Sequence, residues 1–176
     1  YYDVPKGLLF LEDCGTMTLK DQLHEFPQDK TRLYSQAIEL LVRMQNQATG
    51  SIDSTCPAYH RKFDVKKLMW ELNFMLDYYV DEFCGSPLES SARKELREVL
   101  TPLCESLAAE KLYFTHRDYH SRNLMCDQGH LILIDFQDAR MGPCQYDLVS
   151  LLKDSYVNIE DTLVEELIDY YILLKE

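Results

Sequence analysis

The chain has no C-x-x-C pair, no long apolar run, no signal-peptide pattern, no basic face, no internal repeat and no low-complexity tract. Each absence removes a class of protein. Six cysteines (Cys14, Cys56, Cys84, Cys104, Cys126, Cys144) are scattered without metal-ligand spacing. They read as thiols of a reducing compartment, the cytoplasm, rather than as a disulfide framework or a zinc cluster. Lys and Arg number 18 against 30 Asp and Glu, a formal balance of −12. No surface of that balance neutralises phosphates, so nucleic acid is excluded as a partner. A membrane is excluded too, for want of a spanning segment. The charge suits a cationic or neutral small-molecule substrate, although solubility alone accounts for it.

What is present is a chain of 176 residues, 46% of them apolar, enough for a core and about right for one domain or one lobe. Gly7 to Leu11 is a short apolar run ending in Glu12-Asp13-Cys14-Gly15, which reads as a buried strand entering a turn. Helical spacing runs through Leu33, Ala37, Leu40, Leu41 and Met44, with Gly50 expected just past the helix end. A long helix is expected over 63–83, striped by Leu68, Leu72, Met75, Leu76, Tyr79 and Phe83. Another is expected over 90–110, with Pro102 kinking or interrupting it. Two apolar runs, 124–126 and 131–134, flank Asp127-Gln128-Gly129-His130 and predict a hairpin. Helices over 146–156 and 160–176 complete the pattern. The fold class expected is mainly α with a small β hairpin, an α+β lobe. The sequence opens on Tyr1 rather than Met and stops inside an amphipathic pattern, so a piece of a longer protein is expected.

The polar groups concentrate at the hairpin. His116-Arg117-Asp118-Tyr119-His120-Ser121-Arg122-Asn123 precedes it and Ile134-Asp135-Phe136 follows it. Phosphoryl transfer needs a metal to hold phosphate oxygens and a group to receive the acceptor's proton. Asn123 offers an amide oxygen and Asp135 a carboxylate, the oxygen donors that magnesium prefers. Asp118 precedes the hairpin and suits the catalytic base. His120 is a candidate donor to the transferring phosphate, while His116 and Arg117 suit anchoring of the loop. A lone His-x-Asp or Asp-Phe is common by chance, whereas the ordered set is rarer. Two other readings stay open: a zinc hydrolase using His116, Asp118 and His120, and a kinase-like binding module without catalysis.

At Phe114 to Met125, at Ile134-Asp135-Phe136-Gln137-Asp138-Ala139, at Gly142-Pro143 and at Tyr146 to Leu152 the chain resembles the aminoglycoside phosphotransferase and choline kinase family, of protein-kinase-like fold. It is most similar to the branch of bacterial kinases that phosphorylate the anomeric hydroxyl of N-acetylmuramate and N-acetylglucosamine. The resemblance implies ATP and Mg2+ as cofactors, Asp118 as catalytic aspartate, Asn123 and Asp135 as metal ligands, and His120 against phosphate. It implies that Asp147 is the buried acid bracing the loop. Leu11-Glu12-Asp13 would be the hinge, binding adenine through backbone groups. Residues 1–15 would be the last small-lobe strand with the hinge, and 16–176 the helical large lobe.

Two departures accompany the resemblance. Asp135 is followed by Phe136-Gln137 rather than Phe-Gly, and no nucleotide-covering loop with its lysine is present. A missing N-terminal lobe of the same protein is therefore an expected partner, and the 176 residues alone are expected to be inactive. Asp138 and Arg140 are candidates for contacting sugar hydroxyls, with Glu71 a weaker one. An aminoglycoside or choline-type acceptor is the alternative that the charge favours and the motif details disfavour.

Overall fold

The protein is described by a computed structural model over residues 2–176; Tyr1, the first residue of the expected strand-and-hinge segment, lies outside the described residues. Helices dominate. Among the described residues the strands form three two-stranded antiparallel sheets, the expected hairpin being one of them. The chain divides into two compact units: residues up to Val42 with Asp118–Asp135 and Ser150–Glu176, and Arg43–Arg117 with Phe136–Val149.

In the first unit, β1 (Tyr2–Asp3) pairs with β2 (Leu8–Leu9) around a turn in which Gly7 takes a left-handed φ of 62°. The buried strand expected over Gly7 to Leu11 is therefore corrected: two residues pair, and Leu8 to Leu11 are exposed, Leu11 by 79%. Its only ladder partner among the described residues is a two-residue strand, too short to cover an apolar face. Helix α1 (Leu19–Glu25) starts at a capping box, Thr18 Oγ1 accepting from the Asp21 N–H while Asp21 accepts from the Thr18 N–H. Helix α2 (Lys30–Ser51), which belongs to this unit up to Val42 and to the second unit from Arg43, runs past Gly50, the expected helix end. Helical geometry costs glycine about 1 kcal/mol relative to alanine, little against the buried face of a 22-residue helix.

The hairpin falls where its glycine predicts. After β3 (Leu112–Thr115), which belongs to the second unit, come β4 (Leu124–Asp127) and β5 (His130–Leu133) of the first, and β4 pairs with β5 from Leu124↔Leu133 to Asp127↔His130. The loop is the dipeptide Gln128-Gly129, both at positive φ (48° and 82°), as a two-residue type I′ turn requires. Helix α1 lies along β4, bridging Thr18 to Met125, with the Cys126 N–H bonded to the Met17 carbonyl at 2.8 Å. The last helix of this unit, Asp161–Lys175, is tied to α2 by Tyr170 Oη donating to Glu39 at 2.6 Å and by a Lys30–Glu160 ion pair.

The second unit holds helix α3 (Val65–Phe74), helix α4 (Ser90–Ala109) and strand β6 (Arg140–Pro143). Asp64 caps α3, its Oδ1 accepting from the Lys67 N–H at 2.7 Å. Beyond Phe74 the expected single helix changes to π-winding over Met75–Phe83. The wider turn rotates the apolar stripe, so Leu76 is buried while Met75, Tyr79 and Phe83 face solvent. Arg93 of α4 grips this segment through Asp81 and Asp77. Pro102 sits inside an uninterrupted α4. Strand β6 was not foreseen; it pairs with β3 from Leu112↔Pro143 to Thr115↔Arg140. Phe63, Leu68 and Cys104 form a core cluster with Val65, Leu72 and Tyr146 around it. Gly142 lets β6 approach that cluster, because a Cβ there would stand 2.5 Å from the Phe63 ring. Helix α5 (Gln145–Leu152) is shorter than the expected 146–156, so the chain is already in a loop at Asp154. We label Asp161–Lys175 α6. No helix among the described residues is long and apolar enough to cross a membrane.

Candidate active site

The loop from Thr115 to Asn123 joins β3 to β4, and two carboxylates hold it. In the second unit, the wholly buried Asp147 in the first turn of α5 accepts the His116 N–H at 2.7 Å and the Arg117 N–H at 2.9 Å. Arg117 itself stands at φ 81°, a left-handed conformation that costs a non-glycine residue ~1–3 kcal/mol. Such strain persists only where the surroundings over-determine it. Here the paired N–H groups also leave the buried carboxylate satisfied.

The continuation belongs to the first unit. Asp154 Oδ2 accepts the Ser121 N–H at 2.8 Å, and Asp154 Oδ1 accepts the Tyr156 N–H. The Lys20 N–H donates to the Ser121 carbonyl, and Tyr119 Oη donates to the Ala37 carbonyl at 2.7 Å. Tyr119 and Ser121 are fully buried, whereas Asp118 and His120 are half-buried and Arg122 is exposed. Anchoring alternate residues leaves the intervening ones toward the open side of the loop. Neither Asp154 nor Tyr156 was singled out from sequence. The available signal was an acid seven residues after Asp147, just past the apolar helix that Asp147 begins.

Within the loop the Asp118 carbonyl accepts both the His120 N–H and the Asn123 Nδ2–H, each at 3.0 Å. With its amide nitrogen so used, Asn123 retains its Oδ1 for a cation. The Asn123 carbonyl accepts the Ile134 N–H at 3.1 Å, which carries the β4–β5 ladder one pair beyond Leu124↔Leu133. Asp135 is the next residue, about 3.8 Å along the chain in Cα terms. Asn123 and Asp135 thus both stand at the open end of one hairpin, one position apart in register. Asp135 is exposed and, like Arg117, left-handed, at φ 77°. An amide oxygen and a carboxylate there suit a hard divalent cation. The His120 ring packs edge-on against Tyr156, 5.4 Å between centroids, and its buried Nδ1 has no hydrogen-bond partner. Arg122 lies over the Tyr156 ring at 5.0 Å.

The expected acceptor residues all fall in the second unit. Arg117 Nη2 pairs with Glu71 Oε1 at 3.0 Å, and Arg117 Nη1 with Asp138 at 3.6 Å. Lys67 also pairs with Glu71 Oε1, and Tyr146 Oη donates to Glu71 Oε2 at 3.4 Å. Arg140 lies over the Phe63 ring; burial, then the nearby Arg117 charge, hold its guanidinium below the usual arginine range. Burial, then the Glu71 carboxylate, push the Tyr146 hydroxyl up. Phe136 meets the His116 ring edge-on at 4.8 Å. In the hinge candidates, Asp13 Oδ1 accepts the Gly15 N–H at 3.0 Å, and the Cys14 thiol donates weakly to the Glu12 carbonyl. No three His, Cys, Asp or Glu side chains among the described residues gather to hold a metal, which leaves the zinc reading of His116, Asp118 and His120 unsupported.

A helical lobe carrying an aspartate-bearing loop and an Asn–Asp pair at one hairpin defines a kinase-like phosphotransferase fold. The chain belongs to the phosphotransferase enzyme family, whose model matches residues 5–176. It is 31% identical over 169 residues to N-acetylmuramate/N-acetylglucosamine kinase of Pseudomonas aeruginosa, covering 96% of this chain and 47% of that protein. It is 32% identical over 171 residues to the Neisseria meningitidis protein of the same name, covering 96% of this chain and 49% of that one. The chain therefore spans about half the length of these relatives. In fold it is similar to aminoglycoside phosphotransferase APH(2'')-IIa, solved with gentamicin (TM-score 0.60, 17% identity, 93% of this chain and 54% of that one). ADP-bound APH(2'')-Ib is similar at TM-score 0.59, 17% identity and the same coverages.

Proposed function

We propose that the protein carrying this chain transfers the terminal phosphoryl group of ATP to a hydroxyl of a small molecule, with the anomeric hydroxyl of an amino sugar the favoured acceptor. One observation carries the proposal. The register of the β4–β5 hairpin brings Asn123 and Asp135 to the same open end, and Asn123 is bonded to the backbone of Asp118 at 3.0 Å. The residues that would hold a magnesium ion are therefore linked to the proposed base. The bound ion would neutralise charge on the phosphate oxygens. Asp118 takes the proton of the acceptor hydroxyl, and its alternately anchored loop keeps it in line. His120 offers a ring N–H toward the phosphate. The backbone of Leu11-Glu12-Asp13 meets adenine, and Asp138 and Arg140 meet sugar hydroxyls.

The amino-sugar acceptor is supported by the names of the relatives at 31% and 32% identity. An aminoglycoside acceptor is the second reading, favoured by the −12 charge. Six free thiols fit a cytoplasmic setting. Because the relatives are about twice as long, the proposal concerns the whole protein, with a nucleotide-covering lobe contributed from outside these residues. ATP consumption against a panel of N-acetylglucosamine, N-acetylmuramate, an aminoglycoside and choline tests it. Turnover with the amino sugars by the whole protein, and none by the 176 residues alone, is the expected outcome. No phosphorylation of any amino sugar by the whole protein would remove the favoured acceptor.

A further inference from the structure

Glu71 is a sequence candidate for contacting the acceptor, yet its surroundings describe another task. We propose that Glu71 is a positioning residue: through Arg117 it holds the catalytic loop in its left-handed turn and does not contact the acceptor. The proposal rests on the phosphotransferase reading for its consequence in turnover, and on the geometry of one compact unit for its cause.

Arg117 immediately precedes Asp118, so its φ of 81° helps set the direction in which the chain delivers the proposed base. That conformation is held through both backbone and side chain. The Arg117 N–H is fixed by Asp147 at 2.9 Å, and its guanidinium is fixed by Glu71 at 3.0 Å. The two anchors are themselves joined. Tyr146, the residue before Asp147, donates its hydroxyl to the other Glu71 oxygen at 3.4 Å and packs on Phe63 with ring centroids 4.4 Å apart. Arg117, Glu71, Tyr146 and Asp147 therefore close a circuit that runs once through the backbone and once through side chains.

Occupancy argues against an acceptor contact. One Glu71 oxygen takes Arg117 and Lys67, and the other takes Tyr146. Three of the roughly four acceptor positions of this carboxylate are thus taken, two of them by charge-assisted bonds, so its hydrogen-bonding capacity is committed chiefly to the protein. Lys67 is held in turn, with its ammonium 3.8 Å from the Trp70 ring centroid, and Asp64 caps the first turn of α3 beneath it. Glu71 is thus built into a helix whose start is fixed. Asp138 differs: its side chain is half open to solvent and lies 3.6 Å from Arg117, so it keeps an oxygen for an acceptor.

The test uses Glu71→Gln, which preserves volume and removes the charge, in the whole protein. Two readouts separate the loop from the reaction: amide hydrogen exchange over residues 116–118, and steady-state kinetics with an amino sugar. The expected result is exchange at least ~10-fold faster at 116–118, with α3 and α4 unchanged. It is accompanied by a kcat lower by roughly 10- to 100-fold and an acceptor KM within about twofold of wild type. Glu71→Gln combined with Arg117→Met is expected to lose no more than Arg117→Met alone, since both cut one link. An acceptor KM that rises while kcat holds would make Glu71 an acceptor contact and overturn the proposal. So would unchanged exchange at 116–118, or faster exchange spread over α3 and α4, which would assign Glu71 to the general fold. If the wild-type protein phosphorylates nothing in the panel, the functional reading fails while the exchange measurement still decides the clamp.

Discussion

Two aspartates, Asp147 and Asp154, brace the loop between β3 and β4, and two more, Asp118 and Asp135, are its proposed functional acids. Asp147 and Asp154 spend their oxygens on backbone N–H groups, two apiece. Asp118 is half-buried with its backbone carbonyl tied into the turn, and Asp135 is exposed at a left-handed φ of 77°. The same side chain serves as structural acceptor in one pair and as the proposed functional group in the other. Surroundings make the difference: a carboxylate enclosed by peptide N–H groups is satisfied and inert, and one beside water is available to a cation or a proton.

Breaking the comparison at its two ends should give opposite signatures. Asp118→Asn, on the open side, is expected to lower kcat by ~10²–10⁴ while leaving thermal stability within ~0.5 kcal/mol, read by coupled ATPase assay and by melting. Equal losses in activity and stability would place Asp118 with the structural pair. Asp147→Ala should do the reverse first. Two buried N–H groups lose their acceptor, and stability should fall by roughly 2–5 kcal/mol in urea titration, with activity following. Asp154→Ala sharpens the contrast at smaller scale. Its Ser121 contact is only partly buried and its Tyr156 contact is exposed, so about 1–2 kcal/mol is expected, with His120 and Arg122 losing the position of the Tyr156 ring.

Legibility in the sequence followed the range of the interaction. The Gln128-Gly129 turn was readable because positive φ at two successive residues is a local demand. The helices over α2, α4 and α6 were readable from periodicity, although Gly50 misled about one end. The pairing of β3 with β6 was not readable. Its partners are some 28 residues apart, and Arg140-Met141-Gly142-Pro143 carries no alternation. The exposure of Leu8 to Leu11 was missed because an apolar run signals burial without naming what covers it. Asp154 was missed because an isolated acid after a helix has no pattern at all. The loop from His116 to Asn123 and the Asp135 that follows the hairpin were legible as candidates because their residue types and order are chemical requirements rather than packing ones.

Residue order alone settled the family, the helical character and the short list of oxygen-bearing groups, because each of these depends on neighbours along the chain. Tertiary structure alone decided that Asp147 and Asp154 accept backbone N–H groups of the loop and its surroundings, and that Glu71 closes on Arg117 from 46 positions away. Those outcomes depend on which backbone N–H groups and cations arrive from distant segments, and spacing along a chain carries no record of what arrives.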